Sequence, residues 1–214
     1  MSVFDRSEHV YSSSAFDEII KDTIRFFNGT PVHPISIQDR LSGTGVYAIY
    51  LIAKSGLYSR FHSINRTAFH LPIYVGKAVP KGWRQSRQTA STNSNHYELN
   101  SRLREHRRSV ELGEGLELSD FYCRFMILEG KESDLIGTVE AALIRKYQPV
   151  WNTLIDGFGN HDPGKGRYEQ AKSDWDVCHP GRPWAAKCKG LSADKETLRK
   201  SIEVFLIGTD TEDV

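Results

Sequence analysis

Two short runs constrain this chain most: Gly45-Val46-Tyr47 and, downstream, Tyr74-Val75-Gly76. Each sets a glycine and a tyrosine in a β-branched, aromatic stretch that fits a pleated, buried surface and lacks helical periodicity. Strands are therefore predicted over 46–53 and 73–77, with a third over 121–128. Alternation turns Tyr47 away from Val46 and Ala48, and Tyr74 away from Ile73 and Val75. If the two strands pair, both hydroxyls converge on one face of the sheet. Two core tyrosines with satisfied hydroxyls would look the same, so the meaning of the pair depends on the residues around it.

Helical spacing appears four times. Phe16, Ile19, Ile20, Ile24 and Phe27 mark a helix over 15–28, with Ser12 to Ser14 as caps and Gly29 at its end. Leu99, Leu103, His106 and Val110 mark one over 97–112. Leu135, Ile136, Val139, Leu143 and Tyr147 mark one over 132–147, stopped by Pro149. Leu198, Ile202 and Phe205 mark the last, over 193–206. The stretch with Pro31 and Pro34 reads as a connector, 54–70 as a long loop or irregular hairpin, and 85–95, nearly all Ser, Thr, Asn and Gln, as mobile unless a ligand orders it.

The chain has 214 residues, 39% hydrophobic and 26% charged, which suits one soluble domain with a sizeable core. No apolar run reaches the length of a membrane span and the N-terminus lacks a signal-peptide layout, so a cytoplasmic protein is expected. Cys123, Cys178 and Cys188 form neither a disulfide framework nor paired metal knuckles, although Cys178, His179 and Cys188 offer three ligands; free thiols are the simpler expectation. Net charge is only +1, yet eight cations (Lys77, Lys81, Arg84, Arg87, Arg102, Arg104, Arg107 and Arg108) face two acids between 77 and 108. One concentrated basic stretch suits an anionic partner met on one face, and equally a solvated helix face.

Arg102 lies one turn from His106, and His106 falls within an apolar stripe, so it should face inward beside a guanidinium able to grip phosphate. Glu140 sits at the border of its helix's apolar face, where a carboxylate needs a partner: a divalent metal or a salt bridge. Gly159 to Lys165 fits G-x-x-x-x-G-K, but Gly166 replaces the magnesium-binding hydroxyl and Pro163 removes a backbone donor. That segment reads as a flexible connector near DNA rather than a nucleotide loop, and no nucleotide cofactor is expected.

Taken in order, Gly45-Val46-Tyr47, Tyr74-Val75-Gly76, Arg102 with His106, Glu140, and Asn152 after Pro149 resemble the GIY-YIG nuclease family, in particular its restriction endonucleases. The resemblance covers roughly 43–154. Valine replaces isoleucine in both tripeptides, His106 stands where many members carry tyrosine, and the wide gap between the tripeptides marks 54–70 as an insertion.

The resemblance implies an α+β fold, a small three-stranded antiparallel sheet flanked by helices. It would form a catalytic core at 43–154, with a helical extension before it (1–42), a second extension after it (155–214) and inserted DNA-binding loops, all in a single domain 1–214. It implies one divalent cation per active site, Mg2+ or Mn2+, held by Glu140. Tyr47 would receive the proton of the attacking water, directly or as a phenolate. Tyr74 would bond the scissile phosphate or the nucleophile, Arg102 would clamp the phosphate, and Asn152 would order the site. A free phenol is almost wholly protonated at neutral pH, so Tyr47 needs an activator; His106 and Lys77 are the candidates, His106 favoured because imidazole starts near neutrality.

The expected function is that of a type II restriction endonuclease cutting duplex DNA at a palindromic site as a homodimer, leaving 5′-phosphate and 3′-hydroxyl ends. A homing or repair nuclease is the runner-up, and a catalytically inactive DNA-binding module the rival from another class. Arg60 and Arg66 on the insertion, Lys81, Arg84 and Arg87 on the polar stretch, and Lys77 and Arg104 outside both are the expected DNA contacts.

Overall fold

The computed structural model describes residues 4–79, 82–83 and 97–208; the polar stretch with Lys81, Arg84 and Arg87 lies outside them. The elements run α1 (Ser14–Gly29), β1 (Val32–Pro34), β2 (Gly45–Leu51), α2 (Arg60–Asn65), β3 (Tyr74–Ala78), α3 (Glu98–Leu112), β4 (Phe121–Ile127), α4 (Ile136–Tyr147), α5 (Val150–Thr153), α6 (Asp174–Cys178) and α7 (Lys195–Gly208). The sheet is antiparallel with order β1-β4-β2-β3, so it has four strands rather than the expected three. The added strand is the stretch read as a connector. Val32, His33 and Pro34 pair with Arg124, Cys123 and Tyr122, and a proline is tolerated there because β1 is an edge. Its ring contact, His33 on Phe125 at 5.5 Å, joins residues no local pattern links.

Strand β2 is central and buried along its whole length, because helices cover both faces. Val46, Ala48 and Tyr50 face the side where α4 and the end of α1 pack; Tyr47, Ile49 and Leu51 face α3 and the aromatic residues Trp151, Phe158 and Trp175. One continuous cluster contains Phe27, Tyr47, Trp151, Phe158, Trp175 and Ile202. The chain after 154 therefore shares the core of the sheet.

Both signature glycines have a steric reason. A Cβ on Gly45, whose φ is +152°, would lie 2.0 Å from the Met126 carbonyl oxygen, so β4 approaches β2 only across a glycine. A Cβ on Gly76 would lie 2.6 Å from the Tyr47 hydroxyl. Gly76 is the cross-strand partner of Tyr47, and the phenol lies over it.

Three further expectations change. Residues 54–70 contain α2, anchored by buried Asn65, whose Nδ2 donates to the carbonyls of Leu51 and Leu71 while its Oδ1 accepts from the Leu71 amide. The helix before Pro149 begins with a 3-10 segment, Gly130–Leu135, ahead of α4. Helix α1 buries Phe27, but Phe16 and Ile19, expected inward, remain 47% and 45% exposed. Only its C-terminal half reaches the sheet.

Candidate active site

Register brings the two phenols together. Tyr47 pairs with Gly76 and Ile49 with Tyr74, so the tyrosines occupy one face on adjacent strands, their ring centroids 6.4 Å apart. From α3, His106 enters the same space. Its Nε2 lies 2.6 Å from the Tyr47 hydroxyl, and its ring sits 5.1 Å from that of Tyr74. The apolar stripe that made His106 inward-facing is real, since Leu99, Leu103, His106 and Val110 are the buried residues of α3.

Burial sets the protonation states. Tyr47 is pushed well above the ordinary phenol value, first by burial and then by the neighbouring Tyr74, with Arg102 opposing. Tyr74 is also raised by burial, again with Arg102 opposing. His106 is held well below the usual imidazole range by burial and by the positive field of Arg102, so it is neutral. This corrects the expectation of an imidazole poised near neutrality: the protein interior makes His106 a weaker base, while leaving its lone pair available to a hydroxyl. Burial works against the charge of Arg102, yet Tyr47, Glu105 and Tyr74 together keep its pKa above the ordinary guanidinium value.

Glu140 reaches the site from α4. Alternation turns Lys77 to the sheet face opposite Tyr74, and its ammonium forms an ion pair with Glu140 Oε2. A salt bridge thus accounts for the border carboxylate, and its negative field is felt at both Tyr47 and Tyr74. Because β3 is an edge strand, groups from its two faces meet around it. Asn152 orders this edge: its Oδ1 accepts from the Val75 amide at 2.7 Å and its Nδ2 donates to the Val75 carbonyl at 2.9 Å.

Among the described residues no group of three or more His, Cys, Asp or Glu side chains could hold a metal ion. One partly buried carboxylate remains a suitable anchor for a hard cation such as Mg2+, which keeps several waters and takes substrate phosphate oxygens as further ligands. Lys77 holds a positive charge against that carboxylate. The Cys178, His179, Cys188 set is not a site of this kind. Both His179 nitrogens are engaged, Nε2 with the Tyr58 hydroxyl at 2.9 Å and Nδ1 with the Glu114 carbonyl at 3.1 Å.

Of the expected DNA contacts, Lys77 lies in the site. Arg104 is exposed on α3. Arg60 and Arg66 belong to α2 and its C-cap, which docks at Leu51, about 13 Å along β2 from Tyr47.

The residues that local patterns missed follow Asn152. Phe158 stacks on His106 at 4.6 Å and meets Tyr74 edge-on at 4.9 Å. Gly159 passes so close to Tyr74 that a Cβ would lie 2.7 Å from its hydroxyl. His161 Nε2 bonds Arg102 Nη1. The segment expected to be a flexible connector is thus a wall of the site. The only signal it carried was a pair of glycines around an aromatic residue, which marks close backbone approach without naming the partner.

No curated protein matches the chain significantly. The model of one protein family, described as the Eco29kI GIY-YIG domain, matches residues 39–206, which include every element of the site and the wall. With the paired phenols, Arg102, Glu140 and Asn152 assembled around one strand edge, that match places the chain in the Eco29kI-type GIY-YIG domain family, a family of restriction endonucleases.

Proposed function

We propose that the protein is a type II restriction endonuclease that hydrolyses phosphodiesters of duplex DNA with one Mg2+ or Mn2+ per site, leaving 5′-phosphate and 3′-hydroxyl ends. The observation that carries this reading is the 2.6 Å contact between the Tyr47 hydroxyl and a neutral, buried His106 beside Arg102. A phenol with a raised pKa is no standing phenolate. It acts as a relay: its oxygen accepts from the attacking water while its proton points to His106 Nε2, which requires the imidazole proton on Nδ1.

Attack forms the new bond from water oxygen to phosphorus and breaks the bond to the 3′ oxygen, which leaves with the bonding pair and takes a proton from solvent to become the 3′-hydroxyl. The water proton passes to Tyr47 as the Tyr47 proton passes to His106. Forming an imidazolium in this buried position is costly, and the negative charge growing on the phosphate oxygens offsets it. Arg102 stabilises the same oxygens with a guanidinium that stays charged through the reaction. Tyr74, its ring 6.4 Å from that of Tyr47 and 5.1 Å from that of His106, orients the phosphate. Glu140 would hold the cation, which supplies Lewis-acid stabilisation of the leaving oxygen, with Lys77 released from its ion pair.

One centre cuts one strand, so double-strand cleavage needs two copies, and a twofold homodimer on a palindromic site is the simplest arrangement. Incubation with a long duplex, with and without magnesium, tests the reading. Discrete, reproducible, magnesium-dependent fragments are expected. Intact DNA with a mobility shift would leave a DNA-binding module in its place.

A further inference from the structure

Arg182 is buried to 3% exposure of its side chain, in a chain segment where no sequence pattern is evident. It pairs with equally buried Asp176 through two bonds of 2.6 and 2.7 Å, and its guanidinium lies 4.5 Å from the Trp175 ring and 4.7 Å from that of Trp184. Its remaining N–H groups donate to the main-chain carbonyls of Gly157, Phe158 and Asn160 at 2.8, 3.1 and 3.3 Å. Planar guanidinium is the one side chain able to span a carboxylate and three carbonyls at once. On the other side, Asp162 Oδ1 accepts from the Gly164 amide at 2.8 Å and from the Tyr168 hydroxyl at 3.0 Å. The backbone flanking His161 is therefore pinned on both sides, although its own side chain is 62% exposed.

What this pinned imidazole faces is the phosphate clamp. Arg102 Nη1 donates to His161 Nε2 and, at 2.7 Å, to Glu105 Oε2. Both acceptors occupy positions where a phosphate oxygen would receive the same donor. A phosphate arriving at Arg102 repels the Glu105 carboxylate but not an imidazole, whose ring can present an N–H to it. Glu105, 3.7 Å from His161 Nδ1, is placed to hold the other N–H.

We propose that His161 is a further DNA-contacting residue, binding the phosphate that Arg102 clamps, and that the Arg182–Asp176 pair is the positioning clip that presents it. This inference rests on the nuclease reading above. Residues 157–182 thereby acquire a role: they carry a second phosphate ligand to the site.

The test compares wild type, His161→Ala and His161→Gln on a linearised plasmid with magnesium. His161→Ala should lower kcat/KM roughly tenfold to a hundredfold, mostly through KM, with His161→Gln in between and thermal unfolding unchanged. For binding to a labelled plasmid-derived duplex without metal, His161→Ala should raise Kd roughly tenfold. Arg182→Lys should also reduce cleavage, and its penalty should shrink in the His161→Ala background. Wild type that leaves DNA intact removes the nuclease reading and this inference with it. Wild-type cutting matched within about twofold by His161→Ala, with an unchanged Kd for the duplex, overturns this inference alone. Independent effects of the two substitutions overturn the clip.

Discussion

At the scale of single residues, the site is governed by what burial does to each ionisable group. Tyr47 and His106 are each held in their neutral form, so neither is a strong acid or base before DNA arrives. Glu140 is different, because it is held in an ion pair with Lys77. Replacing it with glutamine preserves shape and hydrogen-bonding capacity while deleting the anchor for a cation. Glu140→Gln should therefore lower cleavage at least about a hundredfold and leave site-specific binding in place, as read by a mobility shift beside a cleavage assay. Unchanged cutting would remove Glu140 from the metal.

These candidates were picked out by their order along the chain, and the fold brings them together. The inward turn of His106 followed from its place among Leu99, Leu103 and Val110. Its depressed pKa did not, because desolvation comes first among its causes and depends on Phe158, which covers the ring only in three dimensions.

Among the elements, β3 is the most exposed to error, since an edge strand has one row of backbone groups without a neighbouring strand. Asn152 answers that at Val75 with both ends of its amide, and the Ile73 carbonyl accepts from the Trp151 amide at 3.0 Å. Asn152→Ala should destabilise the fold by roughly 1–3 kcal/mol, because it leaves the Val75 amide and carbonyl without partners. Cleavage should fall further than stability explains, as Tyr74 next door loses its register. Urea unfolding and cleavage rates of the same variant check the two parts; full activity with unchanged stability would contradict both.

Elements with strong periodicity, α1, α3, α4 and α7, were legible to within a few residues. Strand β1 was not, because Pro31 and Pro34 read as breakers and its pairing with Tyr122 to Arg124 crosses most of the core. Helix α2 was missed because its buried turn, Phe61, Ile64 and Asn65, is too short to show a helical period.

For the whole molecule, two buried histidines make acid a destabilising condition. Burial lowers His179 from 6.5 to about 4, and His106 lies well below its usual range as well. Below pH 6.5 the unfolded chain takes up protons that the folded one refuses, so stability is full above that value and declines as pH falls toward 4. His179 alone would contribute a loss of about 3 kcal/mol over that range. Thermal unfolding across it should show a falling midpoint, with a shallower fall in His179→Gln; a flat profile would contradict neutral burial. Cleavage of both strands at one site also requires two centres, so sedimentation of the protein on DNA should show two copies per site. One copy per site would exclude the homodimer.

The paired tripeptides, with Arg102, Glu140 and Asn152 behind them, pointed to the family and to the groups proposed to react, because chemistry needs particular side chains and alternation already put both phenols on one face. Tertiary structure alone decided that these groups meet around an edge strand and that Gly76 exists to let Tyr47 cross. It also brought the segment after Asn152 over His106 and Arg102, held from behind by Arg182. Those contacts join residues that lie far apart in the chain, and a local pattern of apolar spacing carries no information about which distant backbone will fill the space beside it.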